Sequence, residues 1–484
     1  MNTKLLKQKI LDLAIRGKLT QQLKSDGNTA DLLKEISSAC HPERSAKGAK
    51  SKDFKQIIPL DKSEAPFEIP ENWEWVRLGD LMSKVGAGST PTGGRNVYES
   101  SGVKFIRSQN VYNEGLHLED VVYINESIHK QKQNSKVVGN DLLLNITGAS
   151  IGRCAIVPND FDEANINQHV LILRLLNFDL LKYIHLAITS RFVFRQIMGA
   201  QVGGTKEGLS AERAKELQIP LPPLAEQQRI VAKIEEAFAE IDAIEKNKEL
   251  LKTHIKQTRQ KILDLAIHGK LVPQNKSDEP ASVLLERITR DNPHYEKIGV
   301  DNVPFEIPEK WCWCRLGDVL NIARGGSPRP IQDYLTNEKD GLNWIKIGDA
   351  EKGGKYIETV KEKIKPSGLS HTRAVKAGDF LLTNSMSFGR PYILKVDGCI
   401  HDGWLVLGNV EKSMIPDFLY FMLSSDFIYQ SFAFAAAGST VKNLKSETVQ
   451  GTLFPLPPLA EQSRIVAKIE ELFSTLDQME RNLV

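Results

Sequence analysis

Three stretches of this 484-residue chain occur twice, and nothing else in it constrains the fold as strongly. Residues 9–19 (KILDLAIRGKL) match 261–271 at ten of eleven positions, with an offset of 252. Residues 66–80 (PFEIPENWEWVRLGD) match 304–318 at twelve of fifteen, with an offset of 238. Residues 220–238 (PLPPLAEQQRIVAKIEEAF) match 455–473 at seventeen of nineteen, with an offset of 235. Repetition over such a period means one structural unit built twice. The drop from 252 to 238 places 14 extra residues in the first half, within 37–53, a small-residue, charged stretch that reads as a flexible linker. Between the second and third blocks, 82–219 and 320–454 differ in length by only three residues yet share little identity. A frame has been duplicated and its inserts have diverged.

The chain ends continue the same pattern. Val484 corresponds to Glu249 of the central block and Met1 to Thr253. Joining the two termini would rebuild that block less about three residues, so the expected molecule is pseudo-circular, with its ends close together and an internal two-fold axis. Within the central block, Pro222-Pro223 gives a stiff entry and Glu226 sits near the positive helix end. A 3.5-residue period follows through Ile230, Ile234, Ala237, Ile241, Ile244, Lys248, Leu251, Ile255, Thr258, Ile262 and Leu265. Nine of these eleven are apolar, the pattern of a coiled-coil seam. Some 45 residues make a rod of roughly 65–70 Å, with Gly269 as its stop. The carboxy-terminal copy continues the seam at Ile465, Ile469, Leu472, Leu476 and Met479, and the amino-terminal copy at Leu6, Ile10 and Leu13. Antiparallel packing of the two end helices on the central one is expected; a long helix in an ordinary core is the plainer alternative.

The inserts have mixed α/β character. Trp73 and Trp75, and Trp311 and Trp313, alternate on strand faces; Leu142–Leu144, Val170–Leu173 and Leu405–Leu407 suit core strands; Asp179–Met198 and Ile415–Phe434 suit helices. Each insert is long enough to bury its own core.

Composition narrows the function classes. Lys+Arg 63 against Asp+Glu 61 gives a net charge of +2, which excludes a uniformly basic nucleic-acid coat but not local basic patches. No apolar run is long enough to span a bilayer, and the Lys-interrupted amino terminus is not a secretory signal. The five scattered cysteines suit a reducing cytoplasm. Signatures of intrinsic chemistry are missing. Asn292-Pro293-His294-Tyr295 lacks the second proline of a methyltransferase site, and Val85-Gly86-Ala87-Gly88 offers a lone GxG. Gly199–Lys206 lacks the order of a phosphate-binding loop, and Pro416-Asp417 has no nuclease partner residues after it. Cys312-x-Cys314 has no second ligand pair, and Glu74 and Val76 stand at the equivalent positions.

The doubled blocks PLPPLAEQ-x-RIV-x-KIEE, KILDLAI-x-GKL and IPE-x-W-x-W-x-RLGD around two divergent inserts resemble the specificity subunit of type I restriction-modification systems, over nearly the whole chain. Smaller marks agree: Gly88-Ser-Thr-Pro91 and Gly326-Ser-Pro328; Gly139-Asn-Asp-Leu-Leu and Gly378-Asp-Phe-Leu-Leu; Ile151-Gly-Arg153 and Phe388-Gly-Arg390; Gly204-Thr205 and Gly438-Ser-Thr440. Asn167-Gln168-His169 departs from its counterpart His401-Asp402-Gly403.

The resemblance implies an α+β fold: two mixed α/β target-recognition domains separated by long antiparallel coiled-coil helices in a pseudo-two-fold repeat. The corresponding division is an amino-terminal helix completing the distal coiled coil (1–36), a linker (37–64), recognition domain 1 (65–220), the central helix (221–271), a linker with a short helix (272–302), recognition domain 2 (303–455) and the carboxy-terminal helix (456–484). It also implies a non-catalytic, cytoplasmic subunit. Each domain would read one half of a two-part, asymmetric sequence in double-stranded DNA, with the rods setting the spacer. Partners would be two adenine-N6 methyltransferase (modification) subunits and restriction subunits with translocase and nuclease activity. S-adenosylmethionine, ATP and Mg would be carried by those partners and none by this chain.

Base and phosphate contacts favour Arg, Lys, Asn, Gln, Ser and Thr on loops flanked by glycine. In the first insert these are Ser89, Thr90, Thr92, Arg95, Arg107, Gln109, Asn110, Lys130, Lys132, Thr205 and Lys206. In the second they are Arg324, Ser327, Arg329, Lys346, His371, Arg373, Ser439, Thr440, Lys442 and Asn443. Solvated surface loops are the plain alternative for each. Asn145 and Asn167-Gln168 suit caps or core hydrogen bonding. The near-neutral charge predicts weak binding by the chain alone, with partners supplying much of the phosphate contact. A coiled-coil scaffold whose inserts bind protein, or an enzyme with a site assembled from scattered residues, are the rival readings.

Overall fold

The computed structural model describes residues 2–39, 57–200, 208–299, 303–384, 389–436 and 443–483. It divides into two compact units, Met1–Asn247 and Lys248–Val484. The boundary falls inside one continuous 44-residue helix, Leu224–Ile267, close to the length the seam predicts. Gly269, at φ +66°, follows that helix, and Lys270 N–H closes on Leu265 O at 2.8 Å, a left-handed stop that glycine adopts without strain.

Each unit is closed at its base by two of the repeated blocks pairing with each other. Glu74–Arg77 runs antiparallel to Gln218–Leu221, with Trp75 opposite Pro220. Cys312–Arg315 runs antiparallel to Leu453–Leu456, with Trp313 opposite Pro455. The two ends of each insert are thereby pinned side by side. The apolar strand residues face inward, and Val76, Ile219, Cys314 and Phe454 are fully buried.

Within the first unit, one sheet has the order Met82–Ala87, Val170–Leu175, Leu142–Asn145, Cys154–Ile156, and the other Val122–Ile124, Val103–Ile106, Ala164–Ile166, Lys136–Val137. A core of Ile106, Leu143, Ile166 and Ile172 lies between them. The second unit repeats this with five strands in each sheet. Each expected long insert helix is two helices. Leu181–Thr189 and Arg191–Gly199 part at Ser190, whose hydroxyl caps Val193 N–H at 3.3 Å, and Pro416–Leu423 and Asp426–Ala436 part at Ser424-Ser425. Hydrophobic period alone does not reveal these breaks, because the serine offers the backbone a local alternative to the helical bond.

The end helices pack antiparallel on the long helix, each within its own unit, and the contacts repeat residue for residue. The amino-terminal helix Thr3–Ala14 places Lys7 on Asp242 and over the Phe238 ring. The carboxy-terminal helix Leu459–Arg481 places Asp477 and Phe473 on Arg259 in the same way. Asp26 takes two bonds from Arg229, at 2.6 and 2.8 Å, and Asp278 takes Arg464 at 2.6 Å. Both carboxylates are almost fully buried, and the guanidinium bond holds each below the ordinary aspartate pKa.

The seam is corrected in register and extent. Ile230, Ile234, Ile241, Ile255, Ile262, Ile465 and Ile469 are buried, but Ile244 and Leu251 are exposed. Leu6, Ile10, Leu13, Leu265, Leu472 and Leu476 are only half-buried. At the amino-terminal helix the fully covered residues are Leu11, Ala14 and Ile15, and in the second unit Leu263, Ala266 and Ile267. These end segments face the packed unit rather than a two-helix seam, so the covered stripe rotates round the helix. The span 1–36 is also not one helix: Thr3–Ala14 ends well before a second helix, Thr29–Ala39. Beyond the part of the 37–64 linker that lies outside the described residues, Ile57 and Leu60 are buried.

Candidate nucleic-acid interface

Strand directions decide where the loops emerge. Val170–Leu175 is antiparallel to both Met82–Ala87 and Leu142–Asn145, so the carboxy ends of those two meet its start. Val103–Ile106 and Ala164–Ile166 run parallel, and Asn167 N–H donates to Ile106 O at 3.1 Å, so both strands end at the same place. One rim therefore gathers the loops 88–92, 107–110, 146–150 and 167–169. The second unit gathers 325–330, 346–349, 371–373 and 401–403 by the same pairings.

A glycine makes each rim possible. A Cβ on Gly88 would lie 2.0 Å from Ile166 O, and one on Gly325 would lie 2.3 Å from His401 O. The loop then passes directly over the turn before the central strand, and two residues later a hydroxyl meets that turn. In the first unit Thr90 donates to Gln168 Oε1; in the second Ser327 donates to Asp402 Oδ1 at 2.9 Å.

Around this shared contact the chemistry differs. On the first rim Gln168 Nε2 lies 3.2 Å from His169 Nε2, and His169 Nδ1 lies 2.7 Å from Thr147 Oγ1. Lys132 Nζ donates to Ser89 Oγ at 2.7 Å. Arg107 donates to Asp120 O at 2.8 Å, and the Gln109 amide to the Asp120 carboxylate. On the second rim Arg324 Nε donates to Asp402 O at 3.0 Å, Asn384 Nδ2 to the same oxygen at 2.7 Å, and Arg329 reaches Asp402 Oδ2 at 3.5 Å. Arg373 Nε donates to Arg324 O at 3.0 Å. Lys346 pairs with Glu362 beside a groove of about 270 Å³ that Ser327, Arg329, Trp344 and His401 also line.

The structure thus brings Ser89, Thr90, Arg107, Gln109 and Lys132 together on one rim, and Arg324, Ser327, Arg329, Lys346, His371 and Arg373 on the other. Thr92 is exposed on its loop, Lys130 on a short helix, and Asn443 beyond the paired insert helices. Thr205, Lys206, Ser439, Thr440 and Lys442, with the side chain of Arg95, lie outside the described residues. Asn110 is a correction. It is fully buried, accepting Arg107 N–H at 3.0 Å and donating to His117 O at 2.9 Å and Asp120 Oδ1 at 2.8 Å, so it shapes the loop and cannot touch a ligand. Asn145 is buried and donates to Ser108 O at 2.8 Å, and Asn167 accepts His169 N–H at 3.1 Å, the structural roles expected of them. Gln168 differs: its side chain is exposed on the rim.

Sequence reasoning does not select Thr147, Gln168, His169, Asn384, His401 or Asp402. The available signal is the mismatch between Asn167-Gln168-His169 and His401-Asp402-Gly403, which marks a turn where the repeat lets chemistry change. Burial pushes the Cys312 thiol up to about 12, and among the described residues no three His, Cys, Asp or Glu side chains group as a metal site. Among those residues, too, no helix is long and apolar enough to cross a membrane.

Comparison with known proteins gives a consistent picture. Residues 70–253 and 308–483 match the family model described as type I restriction modification DNA specificity domain. The specificity subunit of the type I restriction enzyme EcoAI from Escherichia coli is 24% identical over 98% of this chain and 90% of its own length. That of EcoEI, also from Escherichia coli, is 25% identical over 99% and 90%. Among solved structures, the HsdS subunit from Thermoanaerobacter tengcongensis superposes with a TM-score of 0.54 at 20% identity, covering 87% of this chain and 96% of its own, a likeness of fold.

Proposed function

Because the chain belongs to the type I restriction modification DNA specificity family, we propose that its two rims read the two halves of one asymmetric, two-part DNA target. The observation that carries this reading is the contact built twice from the glycine loop to the following turn, with an amide at Gln168 and a carboxylate at Asp402. Base edges in the major groove differ in their donor and acceptor patterns, so an amide, which both donates and accepts, and a carboxylate, which only accepts, select different bases. Arg324, Arg329 and Arg373 suit guanine edges or phosphates, and Lys132 suits phosphates.

In this reading the helices fix the unread spacer between the two half-sites. The doubled frame docks two copies of a modification subunit, an adenine-N6 methyltransferase using S-adenosylmethionine, and restriction subunits using ATP and Mg join them. The chain itself performs no catalysis and works in the cytoplasm. A protein-binding scaffold would not need two rims of matched geometry and different donor chemistry. The test is adenine methylation mapped across the genome of cells carrying this chain with its modification subunit. The expected result is one two-part motif with unlike halves and a constant spacer. Methylation without a motif, or a motif of one part, would overturn the proposal.

A further inference from the structure

The frame helix and the recognition sheet leave the same pocket in both units. In the first, about 630 Å³ lies between Lys4 and Gln8 of the amino-terminal helix, Gly152-Arg153 before the strand Cys154–Ile156, and Thr189 and Arg191 at the joint of the paired helices. In the second, about 580 Å³ lies between Lys256 and Gln260 of the long helix, Gly389-Arg390, and Ser424 and Asp426 at the equivalent joint. Every one of these pairs is related by the repeat, with offsets of 252, 237 and 235. The lysine and the glutamine on the frame helix are kept in both copies, and so are the glycine-arginine step and a hydroxyl on inserts whose other residues have mostly changed.

The location is informative. Ala149 and Ile151, which line the first pocket, follow Thr147, whose hydroxyl touches His169 on the rim. In the second unit Asn384 on the rim is followed by Gly389 in the pocket. The first pocket therefore adjoins its rim and shares a loop with it, and in the second unit Asn384 of the rim and Gly389 of the pocket stand five residues apart. The polar lining of each pocket carries an ammonium, a guanidinium and side-chain amides, while the hydroxyls of Thr189 and Ser424 donate to carbonyls of their own helices. The first has no carboxylate and adds Arg191; the second carries Asp426 there instead. Such a donor set fits a phosphate diester.

Two half-sites of unlike sequence have one thing in common next to the bases, the sugar-phosphate backbone. We propose that the twin pockets are backbone clamps, each holding a DNA phosphate that flanks its half-site and setting the register in which the rim meets the bases. The proposal rests on the reading of the rims as DNA-contacting. It assigns sequence-independent affinity to the residues the repeat has kept and sequence choice to those it has changed.

The experiment uses the full chain assembled with its modification subunits. Wild type is compared with Lys4→Gln/Arg153→Gln and with Lys256→Gln/Arg390→Gln. Fluorescence anisotropy measures binding to a target duplex and to a duplex with both halves scrambled, over a series of salt concentrations. The expected result is a loss of about 3- to 10-fold on both duplexes alike for each double variant. The slope of log affinity against log salt should become shallower by about one for each phosphate no longer held, while the methylated motif stays the same. Arg153 also stacks on Tyr112, 4.5 Å from the ring centroid, so the exposed Lys4→Glu single variant guards against a folding effect; it should weaken binding and steepen no slope.

Unchanged affinity and slope would overturn the proposal. So would dissociation of the modification subunits from the complex with normal DNA binding by what remains, since the pocket would then hold an acidic protein segment. The wild-type preference for target over scrambled duplex tests the rims separately: its absence would remove the rim reading, and the variant slopes would still decide the pockets.

Discussion

The frame and the rims of this chain answer duplication in opposite ways. In the frame, contact follows contact: Asp26 with Arg229 is repeated by Asp278 with Arg464, and Lys7 on Asp242 and Phe238 by Arg259 on Asp477 and Phe473. At the rims only the geometry is repeated. A glycine passes over a turn and a hydroxyl meets it, but the residue met is Gln168 in one unit and Asp402 in the other. Backbone placement is inherited and side-chain chemistry is free to vary, which is what two unlike readouts on one chassis require.

The largest effect is expected at the two turn residues. Asp402→Asn removes the carboxylate that Ser327 and Arg329 share. It should cost about 1–3 kcal/mol of discrimination at one base position, and only in the half read by the second unit. Gln168→Ala should do the same in the other half alone. Methylation rates on duplexes altered one base at a time check both. Equal effects of either variant on both halves would rule out the assignment of one rim to each half.

A smaller effect separates shape from contact. Asn110→Ala leaves Arg107 N–H, His117 O and Asp120 without their buried partner, at a cost of about 2 kcal/mol in stability. The identity of the methylated motif should not move. Urea unfolding reads the first outcome and methylation mapping the second.

The frame should respond symmetrically. Asp26→Ala and Asp278→Ala each leave a guanidinium without its carboxylate, and each should cost about 2 kcal/mol, since the arginines remain partly solvated. Both aspartates are held below their ordinary pKa, so the folded chain binds fewer protons than the unfolded one in acid. Their contribution is complete above the ordinary aspartate value of about 3.9 and is lost as pH falls through the lowered folded value. Asp26→Asn and Asp278→Asn should therefore flatten the acid limb of stability against pH by matching amounts. Unequal flattening would show that the two copies of the frame are not energetically alike.

What can be read from the residues alone follows from the range of the interactions. Local signals carry far: the 3.5-residue period and Gly269 locate the long helix nearly to the residue, and the repeat dictates the two-unit plan. Pairings across the whole insert are invisible. Nothing local tells that Trp75 lies opposite Pro220, a pairing that closes the insert at its base. The covered stripe on the end helices, Leu11, Ala14 and Ile15 rather than Leu6, Ile10 and Leu13, depends on what packs there and not on period. The same limit applies to the rims. Gly-flanked polar loops lead to Ser89, Thr90, Ser327 and Arg329, but residue type does not say which way an asparagine faces, so Asn110 reads as a contact although it is buried. Gln168 and Asp402, set in short turns between strands, carry no signal beyond their mismatch.

One exchange decides whether each insert reads its own half. Residues 82–219 are replaced with 320–454, so that both halves of the frame carry the second insert. Methylated adenines are then mapped in cells that supply the modification subunit. The expected outcome is a new two-part motif whose halves read the same bases, those of the original second half. Retention of the original asymmetric motif, or a motif whose halves are both new, would contradict the assignment of one half-site to each insert.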